Sequence, residues 1–292
     1  MTTHQVVLSD GATLHVKVLG DNSPTKPLLI ALHGAPGLST HTEPEATFAF
    51  LATKFRVIVY DARGSGISDL KPPYTNERWI ADVDEIRAWA GAEKFVLVGG
   101  SYGGFLSLDY ALAFQHRLLA LILRDTWAWG TRGMMNALKV SLTSDRIKVD
   151  PDRQTRMWTG ILYDDQDYAN AVAEMSALFQ SPGIDPAQRK YSDPEALGET
   201  PQIHAATQNA AFSYNMPRFD VRSRLKDIMV PTLVIVGRHD LITPVAYSEE
   251  ITNGIPNSQL AIFEKSGHNP GNDEPEAFQQ RVLEFLSSAR LL

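Results

Sequence analysis

The chain has 292 residues, of which 43% are hydrophobic and 21% are charged, proportions typical of a globular protein. Its net charge of −7 argues against a nucleic-acid-binding surface, which needs a basic stripe. The absence of cysteine excludes disulfides, thiolate metal sites and a cysteine nucleophile.

The first residues contain neither a basic stretch nor the apolar stretch of a secretory signal, and no apolar run is long enough to span a bilayer. We therefore expect a cytoplasmic protein with no membrane partner. The sequence leaves the oligomeric state open.

The first part of the chain alternates strand-like and helical patterns. Residues 5–8 and 13–19 flank an Asp-Gly turn and predict a hairpin. Continuous apolar runs predict buried strands at 28–32, 55–60, 95–98 and 118–123, and helical spacing predicts helices at 43–54, 76–90 and 105–113. The second of these helices is expected to bury Ile80, Val83, Ile86 and Trp89.

This alternation stops near residue 125. Residues 126–220 have a helical pattern without a buried-strand run and are rich in Met, Trp and Tyr, which indicates a helical insertion. Strands at 231–237 and 259–263 then alternate with helices at 245–251 and 275–286. The alternation predicts an α/β fold with a mostly parallel sheet.

Ser101 lies at a tight connection between a predicted strand and a predicted helix, with glycines on both sides in Gly99-Gly100-Ser101-Tyr102-Gly103-Gly104. A Gly-x-Ser-x-Gly pattern in this context is typical of a nucleophile elbow, a strained turn that exposes the serine hydroxyl at the carboxyl end of the sheet. The alternative is a glycine-rich connection with an idle serine.

A serine hydroxyl becomes a nucleophile when a histidine, oriented by a carboxylate, takes its proton. Asp240 and His268 each follow one of the last two predicted strands. Because parallel strands end at the same edge of a sheet, we expect both side chains near Ser101. Taken alone, a histidine after a strand is more often structural.

The reaction also needs two N–H donors for the developing oxyanion. Tyr102 would supply one from the first turn of its helix. The loop His33-Gly34-Ala35-Pro36-Gly37 would supply the other, and because Pro36 has no N–H, Ala35 is the better candidate and Gly34 the second. These could also be ordinary loop residues.

No dinucleotide fingerprint, phosphate-binding loop or zinc motif is present in the sequence. We therefore expect no cofactor and no metal.

With these motifs, and with Tyr60-Asp61-Ala62-Arg63-Gly64-Ser65-Gly66-Ile67-Ser68, the sequence resembles the α/β-hydrolase superfamily and, within it, the proline iminopeptidases. The resemblance implies a sheet of about eight strands, with a helical cap between strands six and seven. It places the core at 1–125 and 221–292 and the cap at 126–220. It also implies Ser101 as nucleophile, His268 as base and Asp240 as the orienting acid.

Two departures affect the substrate that the resemblance implies. The family has a second glycine where this chain has Ala35, and it binds the substrate's free amino group with cap glutamates. The matching segment here, 206–212, contains no acid. Other cap acids, at Asp164, Asp165, Asp167 and Glu174, are more typical of a solvated helix start.

The expected function is a serine hydrolase that forms an acyl-enzyme and cleaves a small peptide or amide with an N-terminal proline. The alternatives are an esterase, lactonase or C–C bond hydrolase, a biosynthetic acyl-transfer or cyclising enzyme, and a non-catalytic small-molecule receptor. Aromatic residues of the insertion are candidate substrate contacts: Trp127, Trp129, Trp158 and Phe212.

Overall fold

The computed structural model describes residues 1–21, 23, 25–183 and 202–292. Its core is an eight-stranded sheet with the order β1-β2-β4-β3-β5-β6-β7-β8. The strands are β1 (Thr2–Val7), β2 (Thr13–Leu19), β3 (Leu28–Leu32), β4 (Arg56–Tyr60), β5 (Phe95–Gly100), β6 (Leu118–Arg124), β7 (Thr232–Gly237) and β8 (Ser258–Phe263). β2 is antiparallel to both of its neighbours, and β3 to β8 are parallel.

The described α-helices of the core are α1 (Thr42–Phe48), α2 (Asn76–Trp89), α3 (Tyr102–Phe114), α8 (Val245–Gly254), α9 (Pro270–Asp273) and α10 (Pro275–Ser288). Those between β6 and β7 are α4 (Gly130–Thr143), α5 (Pro151–Thr159), α6 (Asp165–Met175) and α7 (Ala205–Ala210). A single π-helical turn, Ala211–Asn215, continues α7. Within the described ranges, each helix is too short or too polar to cross a bilayer.

The central strands are buried on both faces, as their continuous apolar runs predict: every residue of β3, β4 and β5 is buried. Because β3 to β8 are parallel, their carboxyl ends and the loops that follow them lie along one edge of the sheet. The strands and helices confirm the predicted fold class.

One side chain of α2 departs from the expected apolar face. Ile80, Val83 and Ile86 are buried, but Trp89 is 41% exposed and its ring packs edge-on against His4. Trp79 enters the core instead, where its indole nitrogen donates to the Arg63 carbonyl at 3.0 Å. Trp89 is the last residue of the helix, where its side chain is partly exposed.

The helices between β6 and β7 contact the core at the loops after β3 and β4. The His204 amide donates to the Gly37 carbonyl, and the Thr207 hydroxyl donates to the Gly64 carbonyl, both at 2.7 Å. The predicted insertion at 126–220 includes residues 184–201, which lie outside the described residues.

Candidate active site

Ser101 lies at the sharp turn between β5 and α3, with φ 52° and ψ −117°, a conformation that L residues rarely adopt. The turn is crowded. A Cβ atom on Gly99 would lie 2.1 Å from the Gly103 carbonyl oxygen, and one on Gly103 would lie 2.6 Å from that of His33. The two glycines therefore permit the strained serine, as the motif predicts.

Asp240 and His268 follow β7 and β8 and are hydrogen-bonded to each other. His268 Nδ1 lies 2.7 Å from Asp240 Oδ2. Asp240 Oδ1 accepts the backbone N–H groups of Ile242 and Thr243, both at 2.9 Å, and the Thr243 hydroxyl donates to Oδ2. These contacts fix the carboxylate behind the imidazole ring.

The pKa of Asp240 reflects two opposing effects. Burial favours the neutral acid and raises the pKa, but the charge and hydrogen bond of His268 outweigh it, with help from Thr243. The net pKa is below its usual value, so this buried carboxylate is ionised at neutral pH.

Ser101 and His268 line one cavity with an empty volume of about 990 Å³. We call this cavity the polar mouth, because charged and amide side chains make up much of its lining: Glu43, Arg124, Gln180, Asn269, Asn272 and Asp273. The contacts of the described residues include no hydrogen bond between Ser101 and His268. In many enzymes that bond tightens only when substrate binds.

The loop after β3 borders the serine, as expected. Gly34 and Ala35 line the polar mouth with Ser101. Within the described residues, the N–H groups of Ala35 and Tyr102 donate to no hydrogen bond, so both are available to an incoming oxygen.

His33 holds this loop in place. Its Nε2 accepts the Ala62 amide at 3.0 Å, and its Nδ1 lies 3.3 Å from the Gly34 carbonyl. Burial lowers the pKa of His33 to about 4, so the ring is neutral and can accept at one nitrogen while it donates from the other.

A second cavity extends from Ser101 toward the helices between β6 and β7, with an empty volume of about 500 Å³. We call it the apolar chamber, because no acidic, basic or histidine side chain of the described residues lines it. Three of the four predicted aromatic contacts are in its lining: Trp127, Trp158 and Phe212.

Trp129, the fourth predicted contact, lies elsewhere. The residue precedes α4, and the guanidinium carbon of Arg222 lies over its ring, 3.9 Å from the ring centroid. Neither the apolar chamber nor the polar mouth has Trp129 in its lining. The structure therefore does not bring Trp129 together with the other three aromatic residues, and its contact with substrate stays a prediction.

The four acidic residues predicted at the start of a solvated helix each bond to another residue of the segment between β6 and β7. Asp164 caps α6, and Asp165 accepts the Ala205 amide at 2.7 Å. Asp167 pairs with Arg156 at 2.7 Å, and Glu174 pairs with Arg153. None of the four lines either cavity.

Several side chains at the site are not among the predicted site residues. Phe179 lines both cavities, and its carbonyl accepts the His268 amide at 3.1 Å. Gln208 lines the apolar chamber and accepts the Tyr168 hydroxyl at 3.1 Å. Arg124 is the last residue of β6. A charged residue at the end of an apolar run was the signal in the sequence that could have identified it.

The fold and the elbow together define an α/β hydrolase. The family model described as "alpha/beta hydrolase fold" matches residues 27–275, and the chain belongs to this family of hydrolase enzymes.

Within the family, the chain is similar to proline iminopeptidases. It is 31% identical over 283 residues to a proline iminopeptidase from Pestalotiopsis fici, with 95% of this chain and 97% of the relative covered. It is 27% identical to a putative carbamate hydrolase from Rhizobium rhizogenes, covering 94% and 97%. A thermophilic esterase from Thermogutta terrifontis has a similar structure, with a TM-score of 0.73, 26% identity and 99% of each chain covered.

Proposed function

We propose that this hydrolase uses Ser101 as its nucleophile, His268 as its general base and Asp240 as the acid that orients the histidine. The observation that carries the proposal is the 2.7 Å hydrogen bond from His268 to Asp240, with His268 and the strained Ser101 lining one cavity. The substrate is a small ester or amide with a neutral, apolar acyl group.

The reaction follows from the positions of these groups. Ser101 Oγ attacks the substrate carbonyl while His268 takes its proton, and the Ala35 and Tyr102 N–H groups donate to the oxyanion. His268 then gives the proton to the leaving group. Water, deprotonated by His268, attacks the acyl-enzyme; the bond to Ser101 Oγ breaks, His268 returns the proton to Oγ, and the acid is released.

The apolar chamber supports a neutral acyl group. Its described lining offers aromatic and aliphatic side chains and the Gln208 amide, with no carboxylate to pair with an ammonium group. Desolvating an unpaired ammonium costs several kcal/mol, so a substrate with a free amino group in this chamber would bind poorly. The leaving group would occupy the polar mouth.

A second candidate is removal of an N-terminal residue from a peptide. Its support is the 31% identity to a proline iminopeptidase over nearly the whole chain. In this case the substrate's ammonium group would need a carboxylate as its partner. Glu43 is a carboxylate that lines the polar mouth from the core.

A paired turnover assay tests the proposal: a neutral aryl ester and its anilide counterpart against a prolyl anilide. We expect turnover of the neutral acyl substrates, loss of all activity in Ser101→Ala, and full activity in Ser107→Ala. Ser107 is a matched control because its buried hydroxyl donates only within α3, to the Gly103 carbonyl at 2.7 Å.

Two results would go against parts of the proposal. Turnover retained in Ser101→Ala would exclude the nucleophile. Prolyl anilide cleavage that exceeds ester cleavage, and that is lost when the amine is acylated, would favour the second candidate.

A further inference from the structure

Buried polar atoms without a hydrogen-bond partner are concentrated at the polar mouth. Among the residues that the structure describes, seven buried side-chain nitrogen or oxygen atoms have no partner. Three of them, Glu43 Oε2, Arg124 Nε and Asn272 Oδ1, belong to residues that line this cavity. Such atoms are rare because each loses its hydrogen bonds to water without replacement. Their concentration in one cavity with Ser101 indicates a binding site for a group that would pair with them.

Arg124 holds Glu43 beside the nucleophile elbow. The guanidinium group fills the space next to Gly100, where a Cβ atom would lie 2.2 Å from Arg124 Nη2. Nη1 donates to Asn269 Oδ1 at 2.9 Å and to the His268 carbonyl at 3.3 Å. Nη2 pairs with Glu43 Oε1. Glu43 is thus fixed to a guanidinium that contacts both the elbow and the loop of the histidine.

This contact uses only one oxygen of Glu43. Oε1 pairs with Arg124, whereas Oε2 has no partner among the described residues. The Glu43 side chain is 17% exposed and lines the polar mouth, so a bound group can reach it. Asn272 Oδ1 is a second acceptor without a partner. Two acceptors, one of them charged, suit a group that carries several N–H donors.

The charges that line the polar mouth also favour a cation. Two carboxylates, Glu43 and Asp273, and one guanidinium, Arg124, are in its described lining, so the lining is net negative while His268 is neutral. A cation in this cavity is therefore attracted, and an anion is repelled. An ammonium group meets both requirements, because it is a cation with three N–H donors.

We propose that the polar mouth is a leaving-group subsite for an ammonium group, whose N–H donors are accepted by Glu43 Oε2 and Asn272 Oδ1. The preferred substrate is then an ester of an amino alcohol, or the matching amide of a diamine, with its neutral acyl group in the apolar chamber. This inference rests on the proposed function, because Ser101 is the point at which the acyl and leaving groups separate. Glu43 and Asn272 determine specificity, and the leaving group still takes its proton from His268.

The test compares esters of one short neutral acid that differ only at the end of the leaving group. Amino alcohols of three to six carbons are each paired with the alkyl alcohol in which a methyl group replaces the ammonium. We expect kcat/KM at pH 7 to favour the aminoalkyl ester of the best length by about 10–100-fold, the range for a hydrogen bond to a charged group. A trimethylammonium analogue, which keeps the charge but has no N–H donor, should lie between the two.

Variants of the two acceptors test whether they cause this preference. Glu43→Gln is nearly isosteric and removes the charge, so the ratio of the two kcat/KM values should fall by about tenfold or more. Asn272→Ala removes a neutral acceptor and should lower the ratio by about two- to tenfold. Glu250→Gln is the matched control, because Glu250 pairs with Arg132 at 3.1 Å and lines neither cavity. Its ratio should equal that of the unmodified enzyme.

The readout is a ratio measured on one sample, so a partial loss of folded protein cancels. Thermal unfolding checks that each variant is folded, and Asn272→Ala carries the test if Glu43→Gln does not fold. Equal kcat/KM for the aminoalkyl and alkyl esters at every length would overturn the subsite, as would a preference that survives in Glu43→Gln. Loss of prolyl anilide cleavage in Glu43→Gln, without a preference among the leaving groups, would overturn it by assigning Glu43 to the acyl side.

Binding to Ser101→Ala separates this inference from the proposed function. This variant should bind the esters without cleaving them, so calorimetry can measure their Kd. Adding Glu43→Gln should weaken the aminoalkyl ester by about tenfold more than the alkyl ester. That difference in binding, without turnover by the unmodified enzyme, would refute the reaction and support the subsite. Turnover that needs Ser101 but does not distinguish the leaving groups would support the reaction and refute the subsite.

Discussion

Among the residues that the structure describes, two buried histidine–aspartate pairs have the same hydrogen-bond length. His268 Nδ1 lies 2.7 Å from Asp240, and His41 Nδ1 lies 2.7 Å from Asp61. In both pairs burial works to raise the pKa of the aspartate, and the histidine lowers it to a net value below the usual one. The two pairs thus share a hydrogen-bond length and the direction of the aspartate's pKa shift.

Their surroundings differ. His268 lines the polar mouth with Ser101, whereas the His41 side chain is fully buried and lines neither the polar mouth nor the apolar chamber. Asp61 also accepts the His41 and Ile67 amides, at 2.7 and 3.0 Å, and so fixes the loops after β3 and β4. Access to a nucleophile, and not the hydrogen bond itself, distinguishes a candidate site from a structural pair.

The largest expected effect is on the accessible pair. His268→Ala should lower kcat/KM by about 10⁴-fold or more, because Ser101 would lose its base. Asp240 would keep its two backbone donors and Thr243, so the fold should remain. Ester turnover and thermal unfolding of the same sample check both parts. Near-normal turnover would exclude His268 as the base.

The enclosed pair should show the reverse behaviour. His41→Ala would leave a cavity and remove the side-chain partner of Asp61, so we expect a loss of about 2–4 kcal/mol in the free energy of unfolding. The turnover per folded molecule should stay within a few-fold of the original. Urea unfolding and an assay of the folded protein measure this. Unchanged stability would show that the enclosed pair does not support the fold.

A smaller effect is expected at Asp109, a partly buried carboxyl with an amide partner in place of a histidine. Asn76 Nδ2 donates to it at 2.9 Å. Burial nevertheless raises its pKa to about 6, which is above the value in the unfolded chain. The ionised form is therefore penalised in the folded state, and the penalty grows as pH rises from about 4 to 6 and is complete above that range.

Asp109→Asn removes this penalty and can still accept from Asn76. We expect a gain of about 1–3 kcal/mol in the free energy of unfolding at pH 8 and almost none at pH 4. Urea unfolding at the two pH values is the measurement. A gain of the same size at both would show that ionisation is not its cause, and a loss at pH 8 would show that the charge is favourable there.

Much of the fold follows from local patterns in the sequence. Apolar runs mark the buried strands, and the glycines around Ser101 identify the elbow because only a crowded, strained turn needs them. Asp240 and His268 could be predicted for a similar reason: each follows a parallel strand, so the fold brings them to one edge.

The rest depends on contacts between distant segments. His41 and Asp61 meet because β3 and β4 are neighbours in the sheet, and a single sequence does not specify strand order. The predictions for Trp89 and Trp129 depend on hydrophobicity alone, but the direction of each side chain depends on its neighbours. His4 packs against Trp89, and Arg222 packs against Trp129. Asp125 is a charged residue directly after the buried strand β6, which is visible in the sequence. Its position becomes informative only when the end of β7, which contacts it through the Gly237 amide, is known.

The most direct test of the account is mass spectrometry of the protein after reaction with a serine-directed aryl phosphonate, followed by peptide mapping. We expect one covalent adduct, on the peptide that contains Ser101, present in Ser107→Ala and absent from Ser101→Ala. An adduct on another residue, or no adduct in protein that still turns over the ester, would contradict the claim that Ser101 is the nucleophile.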